Sequence, residues 1–434
     1  MIRTVSRIQE IQEALMKHFI TSRYAPLLII LALLTGFAFE GYATIRAREV
    51  NLFSNRDWDW DDDDFFRDKR RSDFLFRYNR VEGLFLGASF NQDEAYRFHA
   101  SNPFLYGSAG YAFSAEEFEY QLGFEKGFFR EYRLGFGAEY HRLIDSPDCW
   151  RISELENTLA ALLIREDYHD FYLREGWSVY ITQNFTRDMR IKLGYHSEDY
   201  DSLERNAKWS FFGGNKKFPA NPAMPAGEHK SLRGKLTFDT RNSKRNTTRG
   251  WYIGVDWEHA GDDLGGAFNY DRLLVDLRRY QPISFNEGFD LRICVGTSSG
   301  ILPWQKSYHL GGLGTLRGYG YKEFPSGRFN HGANRMVLAQ AEYRLGGQDL
   351  PDYLDWGLLE LFNLILFADA GWVGSAGMHE GFTKGFEGFS WGELKSSVGL
   401  ALANRSGSVR LQVARRTDRG NDPYTFSFRI HRPF

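Results

Sequence analysis

Tyr132-Arg133-Leu134-Gly135-Phe136-Gly137-Ala138-Glu139-Tyr140-His141 reads with a period of two. Tyr, Leu, Phe, Ala and Tyr point one way; Arg, Gly, Gly, Glu and His point the other. That alternation is the side-chain period of a β-strand. The same pattern recurs along the chain. Phe118, Tyr120, Leu122 and Phe124 alternate with Glu119, Gln121, Gly123 and Glu125. Trp251, Ile253, Val255 and Trp257 alternate with Asp256 and Glu258, and Leu273, Val275 and Leu277 with Arg272, Asp276 and Arg278. Val409, Leu411 and Val413 alternate with Arg410 and Gln412.

In a soluble sandwich the charged faces would meet water and the apolar faces would make a core. Three features favour a transmembrane antiparallel β-barrel instead. The strands run about ten residues, the length a tilted strand needs to cross a bilayer. Both faces of one strand are extreme, repeated Glu and Arg opposite repeated aromatics. Strand also follows strand from residue 73 to residue 434 with no signature of a second folded domain. Closure into a barrel removes the edges that so many amphipathic strands would otherwise expose.

Composition agrees with an all-β chain. The 434 residues include 44 glycines and 16% aromatics, with a formal net charge of -2. Mean hydropathy is -0.46, which does not suit a helical membrane protein. The near-neutral charge gives no hint of nucleic acid. About fifteen strand segments can be counted, near positions 81, 104, 117, 131, 171, 189, 231, 250, 268, 289, 335, 361, 396, 408 and 424. Bacterial outer-membrane barrels close with an even number. One strand is therefore missed, and 73–78, before the turn at Asn79-Arg80, is the place for it. Short connections at 186–188 and 405–407 are expected on the periplasmic side. Long ones at 199–230, 301–332 and 374–394 are expected outside the cell. One helix is expected after Ser153, which makes a capping box with Glu156. Leu155, Leu159, Leu162 and Leu163 would form its apolar face, packed in a loop or against the rim.

The only long apolar run, residues 26–39, is short for a bilayer span of about 20 residues. Lys17 and Arg23 precede it and Gly41-Tyr42-Ala43 follows, so residues 1–43 read as a secretory signal peptide cut near Ala43. Met16 opens a more ordinary signal length. Residues 44–72 then form an acidic tail with Asp61 to Asp64, a solvated and disordered segment by composition.

The loop 301–332 is long, polar and rich in glycine, and loops of that length are usually functional or disordered. Within Gly311-Gly312-Leu313-Gly314-Thr315-Leu316-Arg317-Gly318-Tyr319, Arg317 is the single cation. Two carboxylates follow on strand patterns, Glu342 and Asp369. One reading folds the loop into the barrel lumen and docks Arg317 on both. The other leaves a mobile surface loop with a solvated arginine, and spacing alone leans towards it.

Other motifs carry little chemistry. Gly296-Thr297-Ser298-Ser299-Gly300 matches G-x-S-x-G, but the nucleophile elbow needs a strand, turn and helix, and here a loop with Pro303 follows. Gly312 to Arg317 starts like a dinucleotide fingerprint and then puts Arg317 where the third glycine belongs. No H-E-x-x-H and no paired C-x-x-C occurs, so neither a catalytic residue, a metal site nor a cofactor is expected. Cys149 and Cys294 leave a disulfide and two lone thiols both open.

The loop, the segment Phe367-Ala368-Asp369-Ala370-Gly371 and the terminal Phe434 together resemble the BamA/TamA superfamily, or bacterial surface antigen family. The resemblance implies a 16-stranded barrel. Its loop motif V-R-G-F/Y reads Leu316-Arg317-Gly318-Tyr319 here, and its F-x-D-x-G reads Phe367 to Gly371. In the family the loop arginine pairs with that aspartate inside the lumen, and a lumen glutamate, matched by Glu342, often joins. Asp239-Thr240-Arg241-Asn242 with Thr248-Arg249-Gly250 looks like a family turn. The last stretch, with Phe426, Phe428 and Phe434, resembles the signal read by the host's barrel-assembly machinery. Residues 44–72 leave no room for POTRA or patatin domains, so the sequence looks like the short subgroup without them.

The resemblance implies an outer-membrane barrel, not an enzyme, acting in envelope biogenesis by protein insertion, secretion or lipid handling. Its expected partners are outer-membrane lipids, the assembly machinery and an unfolded protein or lipid substrate. The alternative is a passive channel or structural surface barrel that keeps the fold without the assembly role.

Overall fold

The computed structural model describes residues 71–91, 103–128, 134–243, 247–284, 286–325, 332–346, 362–418, 423–430, 432 and 434. The expected signal peptide and acidic tail lie outside these residues, save for Arg71 and Ser72, which open the first strand.

The first eight strands are β1 (Arg71–Asn79), β2 (Gly83–Asn91), β3 (Phe104–Ala112), β4 (Glu117–Phe128), β5 (Leu134–Asp145), β6 (Tyr172–Asn184), β7 (Met189–Ser202) and β8 (Gly227–Asp239). The rest are β9 (Gly250–Ala260), β10 (Tyr270–Pro282), β11 (Gly288–Gly300), β12 (Arg335–Gly346), β13 (Phe362–Gly374), β14 (Lys395–Asn404), β15 (Arg410–Arg416) and β16 (Thr425–Arg429). All sixteen belong to one sheet in chain order, each antiparallel to the next. The strand absent from the sequence count is β1, which covers the expected place at 73–78. One helix, α1 (Glu154–Ile164), lies between β5 and β6, with the capping box of Ser153 and Glu156 formed.

The burial pattern is the reverse of a soluble protein. Phe118, Leu122, Tyr140, Trp177, Leu193 and Leu400 are each more than 40% exposed, while Glu119, Glu125, His141, Arg174, Glu198 and Arg292 on the opposite face are buried. Exposed apolar bands belong against lipid, and the buried charges pair with one another inside. Arg174 holds Asp145 at 2.6 Å and Glu198 at 3.2 Å. Arg233 of β8 reaches Glu258 at 2.7 Å and Glu198 at 3.2 Å. Arg432, past the end of β16, crosses to Asp290 of β11 at 2.8 Å, so the sheet curves right round. The chain is an all-β barrel of the outer-membrane type.

The expected helix forms, but the buried face is not the leucine face. Asn157, Thr158 and Ala161 are buried, whereas Leu155, Leu159, Leu162 and Leu163 are half-buried. Ala161 packs with Tyr78, Ala207 and Phe218, with Leu162 at the margin of that cluster, while Thr158 accepts the Tyr78 N–H and Asn157 bonds Asp167 and Tyr168. The turn expected after Asp239 connects β8 to β9. There Asp239 accepts hydrogen bonds from the backbone and guanidinium of Arg241. Cys149 and Cys294 are thiols and not a disulfide. Ser298 is buried inside β11, its hydroxyl 3.5 Å from the Asn334 carbonyl, without the elbow that a nucleophile needs.

Candidate functional site

The long loop leaves β11 at Gly300 and turns into the barrel. It is more ordered than its composition suggested. A 3-10 turn spans Trp304–Lys306, Tyr308 bridges Ala333, and Leu310 exchanges two backbone hydrogen bonds of 2.9 Å with Phe324. Between these anchors the Thr315 hydroxyl accepts the Gly311 N–H at 2.8 Å, and the Gly312 N–H donates to the Leu316 carbonyl at 3.0 Å. Tyr308, Leu310, Leu316 and Tyr319 are buried in one apolar cluster with Cys294, Met336 and Leu338 of the wall. That burial holds the loop's apolar side down and presents Arg317 to the opposite charges.

Arg317 is 1% exposed. Its Nε donates to both oxygens of Asp369, at 3.1 and 2.9 Å, and its Nη2 donates to Oδ1 at 2.6 Å. The backbone N–H of Arg317 adds a bond to Oδ2 at 3.0 Å. Its Nη1 bonds Glu342. The guanidinium plane lies 3.6 Å from the ring centroid of Phe367. A bidentate carboxylate on one side and an aromatic face on the other suit arginine and not lysine. The register explains the meeting. Glu342 pairs with Phe367 across β12 and β13, so Asp369, two residues on, is its diagonal neighbour on the lumen face.

The neighbours of Arg317 fit close against the wall. A Cβ on Gly318 would come within 2.8 Å of the Arg416 backbone nitrogen and 2.9 Å of the Arg415 carbonyl carbon. A Cβ on Gly371 would come 2.7 Å from Leu310. Gly318 needs glycine for space, because fixed backbone faces it, whereas a side chain at Gly371 would have to displace the tip of Leu310. Tyr319 donates its hydroxyl to the Ser396 carbonyl at 3.1 Å, and the Arg416 guanidinium lies 4.3 Å from its ring centroid.

Several participants were not named from the sequence. Arg410 of β15 donates to both oxygens of Glu342, at 2.9 and 3.0 Å, so two guanidiniums face two carboxylates in one buried group. Ser397 and Gln340 donate to Asp369 at 3.2 and 3.4 Å. The only signal for Arg410 was its place on the polar side of the 409–413 alternation. Further along the loop, Lys322 bonds Asp148 at 2.7 Å and Asp170 at 2.5 Å, both in the β5–β6 connection. Burial would raise the Asp148 carboxyl, but Lys322 and Arg151 hold it well below the usual carboxylate range. Burial, with the same two cations beside it, pushes His309 down to about 3, so its ring is neutral at pH 7. Arg429 of β16 donates to the Leu313 carbonyl at 2.7 Å. The loop is thus tied to walls on several sides of the lumen.

The aromatics of the last stretch do not join this site. Phe426 is 79% exposed on the lipid face, and Phe428 and Phe434 are half-buried. Among the described residues, no three or more His, Cys, Asp or Glu side chains are grouped to hold a metal ion.

Comparison with known proteins gives the following. A family model described as the Omp85 superfamily domain matches residues 102–434. A curated relative, "Outer membrane protein assembly factor BamA" of Nitratidesulfovibrio vulgaris strain Hildenborough, is 26% identical over 199 residues, 43% of this chain. The match spans 23% of that relative's own length. The solved structure of BamA from Haemophilus ducreyi lacking POTRA domains 1-3 superposes with a TM-score of 0.54 at 15% identity. The superposition covers 83% of this chain and 70% of that one, a likeness of fold. CdiB from Acinetobacter baumannii covers 83% of this chain and 58% of its own, at 13% identity and a TM-score of 0.37.

Proposed function

The chain belongs to the Omp85 superfamily, and from that premise we propose that this outer-membrane barrel acts in envelope biogenesis, inserting or secreting protein or handling lipid. The observation that carries the reading is the buried loop lock. Arg317, Asp369 and Glu342 hold loop 301–325 inside the lumen, and Lys322 and Arg429 tie the same loop to other walls. A passive channel needs an open lumen, and a loop fastened across it works against free solute flow. The name of the curated relative, an outer membrane protein assembly factor, supports the same reading. The cargo is an unfolded protein or a lipid, and the barrel works among outer-membrane lipids without a cofactor or a catalytic residue.

A depletion strain tests the proposal. Loss of the chain is expected to change the profile of outer-membrane proteins or lipids within a few generations. Unchanged profiles of both, together with a large steady conductance of the purified barrel in planar bilayers, would favour the channel reading.

The C-terminal aromatics enter the proposal as the signal for this chain's own insertion. Deleting Phe434 is expected to lower its outer-membrane level severalfold, with the remainder degraded or aggregated in the periplasm. The effect should be one of assembly and not of fold stability, since the side chain is only half-buried and lies beyond β16. Membrane fractionation checks this, and a truncated chain at wild-type level removes Phe434 from the signal.

A further inference from the structure

The edges of β1 and β16 should meet where the barrel closes. Among the described residues β1 ladders only with β2, and β16 only with β15. Unpaired edge amides and carbonyls are costly at membrane depth. Here other groups take them up. The Tyr78 N–H donates to the Thr158 hydroxyl at 3.4 Å, and the Arg80 carbonyl, just past β1, accepts from Asn206 and Ala207 at 2.9 Å each. Just past the end of β16, the Ile430 N–H donates to the Glu156 carboxylate at 2.9 Å.

The helix supplies both strands. Arg77 binds Glu154 at 2.9 Å, and Arg429 binds Glu156 through Nε and Nη2, both at 2.9 Å. Arg77 and Tyr78 are successive strand residues and so face opposite sides of the sheet. Arg77 holds the first turn of α1 through Glu154, while the ring of Tyr78 packs with Ala161, about two turns further on. The helix therefore runs along the edge of β1 and not behind the sheet. Its last carbonyls accept from Phe211 and Phe212 at 2.8 Å each, and those two side chains are more than half exposed.

We propose that α1 is a strap seated in the seam, which closes the gap between β1 and β16 in the resting barrel and has to withdraw before either edge can take another partner. Glu156 couples the two events. It is at once the reciprocal member of the helix capping box and the anchor of Arg429. A helix of 11 residues is marginal alone. Losing its hold on β16 therefore loosens the helix and exposes both edges together. The strap goes beyond the assembly role, and the experiment below uses no cargo, so either idea can fail without the other.

The test is hydrogen exchange by mass spectrometry on the full chain in lipid nanodiscs. Glu156→Gln keeps a capping box, which accepts Gln at that position, but removes the charge that binds Arg429. Exchange is expected to rise roughly tenfold or more in peptides covering α1, β1 and β16 together, the loss of one charge-assisted bond, with β9 to β12 unchanged. A rise confined to α1, or no rise in any of the three, overturns the strap. Thr158→Val provides a second route if Glu156→Gln does not assemble. It is close in shape and removes only the acceptor for Tyr78. It should raise exchange at β1, and wild-type protection there would equally overturn the proposal.

Discussion

Arg317→Ala will release loop 301–325 from the lumen and leave the barrel standing. The guanidinium is buried, and so are both carboxylates that hold it. Breaking a buried pair by removing one partner costs about 3–5 kcal/mol, because the remaining charge is left uncompensated. An exposed pair would cost only about 0–1 kcal/mol. Full burial of Arg317 places this lock near the upper figure. Asp369→Ala should look the same, since it removes the bidentate bond and the acceptor for the Arg317 backbone N–H. The double variant should be little worse than either single one, because both remove one shared contact. The measurement is limited proteolysis of the loop in intact membranes, with heat-modifiable migration on gels as the check that the strands survive. Additive effects, or an Arg317→Ala loop as protected as wild type, would mean that the loop is held chiefly by Lys322 and the apolar cluster.

The second large effect is expected at Glu342, and it should fall on the wall more than on the loop. Glu342 is shared by Arg317 and Arg410. Glu342→Ala leaves two buried guanidiniums with one carboxylate between them. Among the described residues, Arg410 then keeps only the Gly407 carbonyl as hydrogen-bond acceptor, through Nε at 3.0 Å and Nη2 at 2.6 Å. A loss of about 3–5 kcal/mol is the usual scale for an orphaned buried charge. It should lower the temperature at which the folded gel band disappears, and by more than Arg317→Ala does. Adding Arg410→Met removes the orphan and should recover part of the loss, because an apolar side chain of similar length needs no counter-charge. If Glu342→Ala melts like wild type, or if Arg410→Met deepens the defect, the shared carboxylate is not what holds β12 to β15.

How much of this was legible in the sequence differs from element to element. Alternation is a property of neighbours along the chain, so fifteen of the sixteen strands could be placed from it. The exception, β1, adjoins the charged tail, and Arg71, Ser72 and Asp73 hide its start. The capping box of α1 is equally local, three residues wide, and formed as read. The face the helix would bury was not legible. A leucine stripe is the ordinary sign of a packed face, and here the helix buries Asn157, Thr158 and Ala161. Thr158 takes the N–H of Tyr78 from 80 residues away, and Ala161 packs with Tyr78, Ala207 and Phe218, contacts that no local pattern announces.

The same division runs through the loop. Arg317, Asp369 and Glu342 could be named, because a motif supplied the first two and strand parity put Glu342 on the polar face. Arg410 could not be named as their fourth member. The sequence by itself determined which side of each strand is charged, since that depends on odd and even positions alone. Which charge meets which depends on strand tilt and on the stagger between neighbouring strands. Those are set only when the sheet curls round and closes. Tertiary structure alone therefore brought Arg410 to Glu342, Lys322 to Asp148, and Glu156 to the last strand.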